Sequence, residues 1–159
     1  MAKQQNRSIW VLFLTAHAVL IEQIENRLAE AGLPALDWYD ALWALDRAPG
    51  GKRRMHELAG YMVISRSNVT RLMDRLETAG LVARERMSED KRGAFAVLTD
   101  EGKKMRRKMW TIYANAIDEL FEQHLTAKEK IAMAQSLRKV LRHTLADDEN
   151  VALIEARVA

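Results

Sequence analysis

Apolar residues recur at helical spacing along most of the chain, and short polar segments separate the runs. Over residues 8–31 this spacing predicts a long amphipathic helix that ends near Gly32. Asp37 is placed to act as the N-cap of a second helix, which runs to about Arg47 and stops at Pro49. The first third of the chain is therefore predicted to be two helices joined by a short loop.

The middle of the chain predicts a helix, a tight break and a second helix. We expect the first over residues 56–62 and the second over residues 65–78, with Ser65 as N-cap and Gly80 as terminator. Ala59 is small at the point where such helices approach closely. Apolar residues form the inner stripe of the second helix: Val69, Leu72, Met73 and Leu76. A first helix that braces a second in this way is a helix-turn-helix.

A hairpin and two further helices complete the pattern. Residues 81–86 and 94–98 have strand-like composition and are joined by a charged segment. Thr99 then begins a helix with acidic residues in its first turn, and Thr126 begins a capping box for the last helix. The predicted fold is mainly α with a small β-hairpin wing, a winged helix-turn-helix within one domain over residues 1–159.

Composition narrows the class of protein. With 159 residues, 48% hydrophobic and 30% charged, the chain can bury roughly 70% of its unfolded surface in one domain. The absence of cysteine excludes disulfide frameworks and thiol catalysis and fits a reducing cytoplasm, where we expect the protein. The longest uncharged run, Ser8 to Ile21, has 14 residues, so no membrane-spanning segment is expected.

Charge is distributed unevenly. Residues 52–108 contain 15 basic and 8 acidic residues, whereas the rest of the chain contains 10 and 14. A basic middle segment predicts a polyanionic partner.

The start and the outward face of the second middle helix are rich in hydrogen-bond donors. These candidate contacts to base edges and phosphates are Ser65, Arg66, Ser67, Asn68, Thr70, Arg71 and Arg75. The wing adds Arg86, Lys91 and Arg92. Carboxylates near phosphates are repelled, so we infer that Asp74 and Asp90 hold arginines such as Arg86 or Arg92 in place. An ordinary solvated basic face is the alternative.

One residue departs from the usual helix-turn-helix pattern. Val63 stands where the turn commonly has a glycine with positive φ, and valine avoids such angles. The sequence therefore predicts a wider turn.

Together, several stretches resemble the MarR family, the winged helix-turn-helix regulators named for multiple antibiotic resistance. They are Leu58-Ala59, residues 65–77, Gly80-Leu81-Val82, Asp90-Lys91-Arg92-Gly93 and Leu98-Thr99-Asp100-Glu101-Gly102. The resemblance implies a homodimer through the N- and C-terminal helices (residues 1–34 and 110–159), with a DNA-binding lobe over residues 37–108. It also implies that Arg92 enters a minor groove, and that the major groove is faced by Ser67, Asn68, Thr70 and Arg71.

The resemblance further implies a small aromatic or phenolic effector, bound in a cleft between the dimer core and the DNA-binding lobe. The residues that could line this cleft are Trp10, His17, Trp38, Tyr39 and Trp43. His17 lies on the apolar face of the first helix and is expected to point inward. It is either a hydrogen-bonded core histidine or the polar anchor of the cleft, and aromatic residues at helical spacing also serve as core.

The expected function is sequence-specific transcription regulation, as a repressor bound to a pseudo-palindromic operator in double-stranded DNA. Half-sites one helical turn apart are separated by about 34 to 36 Å. No catalytic or metal-binding motif is present in the sequence, so neither an enzyme nor a cofactor is expected. Two alternatives remain: a winged-helix module for protein contacts, and a small-molecule-binding protein or enzyme without DNA binding. Steep salt dependence of DNA binding would separate these from the first interpretation.

Overall fold

The computed structural model describes residues 2–63, 68–86, 94–145 and 155, with only the backbone described for residues 2–7. Its elements in chain order are α1 (Ala2–Glu30), α2 (Leu36–Asp46), a 3-10 turn (Pro49–Gly51), β1 (Lys52–Arg54), α3 (Met55–Tyr61), α4 (Val69–Thr78), β2 (Val82–Arg86), β3 (Ala94–Leu98), α5 (Asp100–Leu120), a second 3-10 turn (Glu122–His124) and α6 (Ala127–Thr144). The predicted fold class, mainly helical with a small antiparallel wing, is confirmed.

The start of α2 differs from the prediction. Ala35 occupies the N-cap position without a side-chain hydrogen bond, and Asp37 lies in the first turn. The amide of Leu36 instead donates to Glu25 Oε1 of α1 at 2.9 Å. The predicted N-cap at Asp37 was therefore wrong, because a carboxylate from the neighbouring helix satisfies this amide at the helix start.

The helix-turn-helix consists of α3 and α4, and the second helix begins later than predicted. Asn68 precedes α4 with φ of 59°, in the left-handed region. A right-handed helix cannot continue through such a residue, so the predicted start at Ser65 was wrong. The wider turn expected from Val63 involves residues 64–67, which lie outside the described residues.

A third strand joins the predicted hairpin. The sheet order is β1-β3-β2, and both pairings are antiparallel. Sequence patterning missed β1 because it has three residues, all basic, with no apolar alternation. Its cations lie over aromatic rings, with the Arg53 guanidinium 3.4 Å from the Tyr61 ring centre and the Lys52 ammonium 5.2 Å from that of Phe95.

Two buried clusters form the core, and α2 contributes to both. The first lies between α2, α3, α4 and the sheet, and includes Leu42, Leu45, Leu58, Met62, Leu72, Met73 and Leu76. The second lies between α1, α2 and α5, and includes Ile24, Leu28, Leu36, Tyr39 and Met109. Trp38 packs against both clusters. Since α2 is shared, it connects the winged lobe to the long helices.

The N-terminal half of α1 and the whole of α6 leave large apolar side chains exposed. On α1 these are Ile9, Trp10, Val11, Leu12, Phe13, Leu14 and Val19. On α6, which has no buried residue, they are Ile131, Met133, Leu137, Val140 and Leu141. These two helices have apolar surface that the described chain does not cover.

By length and composition alone, Ser8–Glu30 of α1 is apolar enough to cross a membrane. The sequence argument counted only the uncharged run, and that count underestimated the apolar stretch. The helix nevertheless packs in the fold, because Ile24 and Leu28 are buried and Arg27 pairs with Glu119 of α5 at 2.6 Å. Only 6% of this apolar window is buried in the fold, and one such helix near the N-terminus is weak evidence of a membrane span.

Candidate nucleic-acid interface and ligand cavity

Helix α4, the second helix of the helix-turn-helix, has one buried and one exposed face. Leu72, Met73 and Leu76 are buried against α2 and α3, as predicted for the inner stripe. The opposite face exposes Asn68, Thr70 and Arg71, while the further candidates Ser65, Arg66 and Ser67 lie outside the described residues. The described part of the predicted major-groove set therefore shares one exposed surface.

The two arginines of α4 differ in their surroundings. Arg75 donates to Asp37 Oδ2 of α2 at 3.0 Å and is thereby tied to the body of the lobe. Arg71 lies one turn nearer the N-terminus and makes no side-chain hydrogen bond or ion pair with any residue in the described ranges. Among the described residues, Arg71 is thus the arginine of α4 whose side chain is not held by another side chain.

An arginine of the wing is held by two carboxylates of α4. Arg84 of β2 forms ion pairs with Asp74 and, at 3.3 Å, with Glu77. The sequence interpretation expected Asp74 and Asp90 to hold arginines such as Arg86 or Arg92; Asp74 does hold an arginine, but this arginine is Arg84. Arg84 and Arg86 are two residues apart and therefore point to the same face of β2. Arg84 is the one of the two that reaches Asp74. Arg86 is exposed at the end of β2, and the remaining wing candidates lie outside the described residues: Asp90, Lys91 and Arg92.

The junction of wing, α4 and α5 is fixed by a threonine and a glycine. The Thr99 hydroxyl donates to Gly80 O at 2.8 Å and accepts from the Gly102 amide at 3.0 Å. The helix start passes so close to Leu81 that a Cβ on Gly102 would lie 2.1 Å from the Leu81 carbonyl oxygen. The wing and the end of α4 are therefore positioned on the first turn of α5.

A cavity of about 590 Å³ opens between α1, α2 and α5, beside the winged lobe. Its lining comprises His17, Ile21, Tyr39, Asp40, Trp43, Val63, Arg106, Trp110, Tyr113 and Ile117. The volume lies in the range of small-molecule sites. Three predicted cleft residues are brought together here: His17, Tyr39 and Trp43.

The other two predicted cleft residues are not among those that line it. Trp10 is 60% exposed and stacks on Phe13 with ring centres 6.1 Å apart. Trp38 packs between the two core clusters. His17 is exposed, so the expectation that it points into the core was wrong. At His17, α1 borders the cavity, so the imidazole lies at the cavity wall and is not enclosed by core residues.

Sequence reasoning missed the contribution of α5 to the cavity. Arg106, Trp110 and Tyr113 recur at helical spacing, so they share a face of α5. The rings of Trp110 and Tyr39 are stacked at 5.9 Å, and Tyr113 meets Tyr39 edge-on at 5.1 Å. The spacing was available in the sequence, but the pairing of α5 with α2 was not.

The polar groups that α2 and α5 contribute to the cavity are buried or half-buried, and the charge of one of them is paired. Arg106 Nε lies 2.7 Å from Asp46 Oδ2. Burial raises the pKa of Tyr39 and of Tyr113, so both phenols stay protonated and can donate hydrogen bonds. Asp40 is only 4% exposed and accepts from the Val63 amide at 2.9 Å.

The contact between Asp40 and Val63 joins the cavity to the helix-turn-helix, since Val63 lies in the connection between α3 and α4. No group of three His, Asp or Glu side chains suited to a metal ion occurs in the ranges that the structure describes.

Known proteins resemble the chain in sequence and in structure. A family model described as MarR family matches residues 31–93. The regulator FarR of Neisseria gonorrhoeae, described as an HTH-type transcriptional regulator, is 27% identical over 139 residues, which are 85% of this chain and 89% of FarR. Sco3205 of Streptomyces coelicolor, a MarR family transcriptional regulator solved in complex with DNA, is 28% identical with a TM-score of 0.82, over 91% of this chain and 94% of Sco3205.

A more distant structure shares the fold. The organohalide-sensing regulator RdhR-CbdbA1625, solved with bound 2,4-dichlorophenol, is 18% identical with a TM-score of 0.77, over 88% of this chain and 81% of that one. The family match spans α2 to the wing, and the likeness to Sco3205 extends over the long helices as well. Over residues 31–93 in sequence, and over most of its length in structure, the chain is therefore similar to the MarR family of transcriptional regulators.

Proposed function

We propose that the protein is a sequence-specific DNA-binding repressor that acts as a homodimer. The observation that carries the proposal is the exposed, donor-rich face of α4, on which Arg71 makes no pair with any described side chain. Bidentate contact of arginine to guanine is the commonest specific contact in the major groove. The DNA complex of Sco3205, which has the same fold, supports this role.

The wing supplies the second contact in this proposal. Arg86 is exposed at its base, and Lys91 and Arg92 follow in the segment between β2 and β3. Cations at such a position approach the phosphates, and arginine suits the concentrated negative potential of a narrow minor groove. We expect these contacts to add affinity more than base preference.

The apolar surfaces of α1 and α6 support the dimer. Val140 is 61% exposed and Leu12 is 67% exposed, and further large apolar side chains are exposed on the same two helices. Patches of this kind mark interfaces in proteins that are not monomeric. Two copies related by a two-fold axis would present two α4 helices to successive major grooves. This arrangement matches the symmetry of a pseudo-palindromic operator. We propose that the protein acts in the cytoplasm.

The cavity supports release by a small aromatic molecule. RdhR-CbdbA1625 binds 2,4-dichlorophenol on the same fold, and the aromatic lining with two neutral phenols suits a ligand of that class here. A ligand that disturbs the contact between Asp40 and Val63 acts on the connection before α4. It shifts the equilibrium only by the difference between its affinities for the two conformations.

The test of base reading compares the two arginines of α4. Arg71→Ala should lower specific affinity by about 1–3 kcal/mol and relax preference at one base pair. Arg75→Ala is the matched control, because its side chain is engaged by Asp37. Competition with operators mutated one base pair at a time provides the measurement. Equal losses on specific and random DNA for Arg71→Ala would refute its role in base reading.

The test of release uses the tryptophans of the cavity. Trp43 and Trp110 line it, so 2,4-dichlorophenol should quench their fluorescence and release the protein from its operator over the same concentration range. Quenching without release would show a bound ligand that does not control DNA binding.

A further inference from the structure

The last helix, α6, has a basic side that neither the proposed DNA contact nor the proposed dimer uses. A cavity of about 520 Å³ lies against it, and its described lining comes from α6 alone. The volume lies in the range of small-molecule sites. The lining side chains can all donate hydrogen bonds, and they are Gln135, Arg138, Lys139, Arg142 and His143. The cavity is therefore suited to an anion.

The basic side is centred opposite the main apolar side of the same helix. Each residue turns an α-helix by about 100°, so the cavity residues fall on one side. The other side presents the exposed side chains of Met133, Leu137, Val140 and Leu141. Ile131 is also exposed and lies about one turn before the cavity. A dimer formed through the apolar side would leave the cavity open.

A carboxylate of the same chain already lies at these arginines. Glu155, thirteen residues after Arg142, accepts from that guanidinium through Oε1 at 2.7 Å. Its Oε2 lies 3.4 Å from Nε of Arg138. The hydrogen bond from Arg142 lowers the pKa of Glu155, which keeps this carboxyl group charged. The two arginines thus converge closely enough to hold one small anionic group.

The carboxylate leaves part of the cavity unused. Its two oxygens each contact one arginine. Lys139 and His143 make no side-chain hydrogen bond or ion pair with any residue that the structure describes. Three permanent cations therefore face one carboxylate, and an anion with higher charge and more acceptor oxygens can contact Lys139 as well.

The helix dipole accounts for only part of this cluster. Cations in the last turn of a helix are stabilised by its macrodipole, and Arg142 and His143 lie there. Arg138 and Lys139 lie before the last turn, where the dipole has little effect. The convergence of all four side chains on one cavity calls for a ligand.

The cavity is also remote from the surface proposed to read DNA. The wing and the end of α4 rest on the first turn of α5, whereas α6 follows its other end. The 21 residues of α5 span about 30 Å. α6 does not pack back along α5 and has no buried residue. The ligand of this cavity is therefore a small molecule and not the operator held by α4.

We propose that the cavity on α6 binds the phosphate group of a small molecule, which displaces Glu155 from Arg138 and Arg142. A phosphate group has three strong acceptor oxygens and a charge near −2 at neutral pH. Arginine donates to phosphate in pairs of hydrogen bonds, and lysine holds it as a point charge. The cavity exceeds the size of one phosphate, so it has room for an esterified group.

The experiment is calorimetric titration of the full chain with inorganic phosphate and with glycerol 3-phosphate, at constant ionic strength. Acetate is the monocarboxylate control and should bind at least tenfold more weakly than either phosphate. Tighter binding of glycerol 3-phosphate would assign the site to phosphate esters, and tighter binding of inorganic phosphate to the free ion. Both results support the inference.

Glu155→Gln tests the displacement. This variant removes the competing carboxylate and leaves the cations in place. Phosphate binding should tighten about two- to fivefold, the amount by which exposed ion pairs usually favour the paired state. Equal or weaker phosphate binding in Glu155→Gln would overturn the proposed exchange.

Variants that each remove one charge separate the cavity from the overall charge of α6. Arg142→Gln should weaken phosphate binding about tenfold, because a charge-assisted hydrogen bond is lost. Lys139→Gln should also weaken it, although both contacts of Glu155 remain. Lys128→Gln removes the same charge from an exposed position in the first turn of α6, outside the cavity, and should leave binding unchanged. All three positions are exposed, so circular dichroism should show an unchanged fold.

Several further results would overturn the inference. They are the absence of saturable phosphate binding, acetate binding as tight as phosphate binding, and equal losses in Lys128→Gln and Arg142→Gln. Loss of DNA affinity in Arg142→Gln but not in Lys128→Gln would assign the basic side to nucleic acid. A change of oligomeric state confined to Arg142→Gln would assign it to a second copy. Either assignment would replace the one proposed.

Discussion

At the scale of single residues, Gly102 shows how strictly the wing is positioned. The amide of Gly102 donates to the Thr99 hydroxyl, and its α-carbon leaves no room for a side chain beside the Leu81 backbone. Because the obstructing atom is a carbonyl oxygen of the main chain, a rotamer change cannot relieve the clash. The sequence Leu-Thr-x-x-Gly thus has a geometric reason at its glycine.

Gly102→Ala should lower the free energy of unfolding by about 1–3 kcal/mol or more, since the helix start or the wing must move. Thermal unfolding should show a loss of about 2–4 °C for each kcal/mol. Gly80→Asn is the control, because Gly80 has φ of 73° with nothing within 4 Å of an added Cβ, and asparagine tolerates that region. An unchanged melting temperature for Gly102→Ala would contradict the close approach.

At the scale of elements, the wing and α4 are joined by charge as well as by packing. Arg84 of β2 bridges Asp74 and Glu77 on the same helix that presents Arg71. These partners are largely exposed, so the pairs add little to stability. We expect their effect to be on DNA binding, because Arg84 neutralises two carboxylates next to the surface that is proposed to meet phosphates.

Arg84→Met should therefore change the unfolding free energy by less than about 1 kcal/mol. It should nevertheless weaken operator binding by about 1–2 kcal/mol, roughly five- to thirtyfold. Adding Asp74→Asn and Glu77→Gln should restore much of the loss, since the uncompensated charges are then gone. Lys139→Met on α6 is the control. Full operator affinity in Arg84→Met would show that the bridge has no part in binding.

Elements fixed by contacts between residues close in sequence could be predicted, whereas elements that depend on distant partners could not. The helices and the hairpin follow from local periodicity, and the capping box of α6 is read directly from Thr126 and Glu129. β1 is too short to have a pattern and exists because β3 offers it a partner. The start of α4 depends on the backbone of Asn68, which no periodicity encodes.

The candidate sites were predictable to different degrees for the same reason. The exposed face of α4 follows from the position of its buried stripe within one helix. The partners of Arg75 and Arg84 belong to the tertiary arrangement. The cavity needs α1, α2 and α5 together, so the sequence found His17, Tyr39 and Trp43 but neither Arg106 nor Trp110.

At the scale of the whole molecule, the uncovered apolar surfaces of α1 and α6 are the surfaces on which the proposed dimer depends. A single lobe presents one α4, whereas a pseudo-palindrome requires two. Association through α6 would bury side chains that the described chain leaves in water, among them Val140 and Leu141.

Val140→Glu should thus give a folded monomer with weakened operator binding, because a buried unpaired carboxylate disfavours the interface. Gln135→Glu adds the same side chain at an exposed polar position of α6 and should remain dimeric. Analytical ultracentrifugation and circular dichroism provide the two readouts. A Val140→Glu protein that remains a dimer would place the interface elsewhere.

The most direct measurement is footprinting of the purified protein on the DNA beside its own gene, with binding followed over a range of salt concentrations. We expect two protected half-sites about one helical turn apart, and log affinity that falls linearly with log salt by about 0.9 for each phosphate contacted. The Arg71→Ala variant should no longer protect the specific sequence, but it should still bind DNA in a salt-dependent way. Absence of any protected site, or affinity that does not change with salt, would contradict the assignment of α4 as a DNA-reading helix.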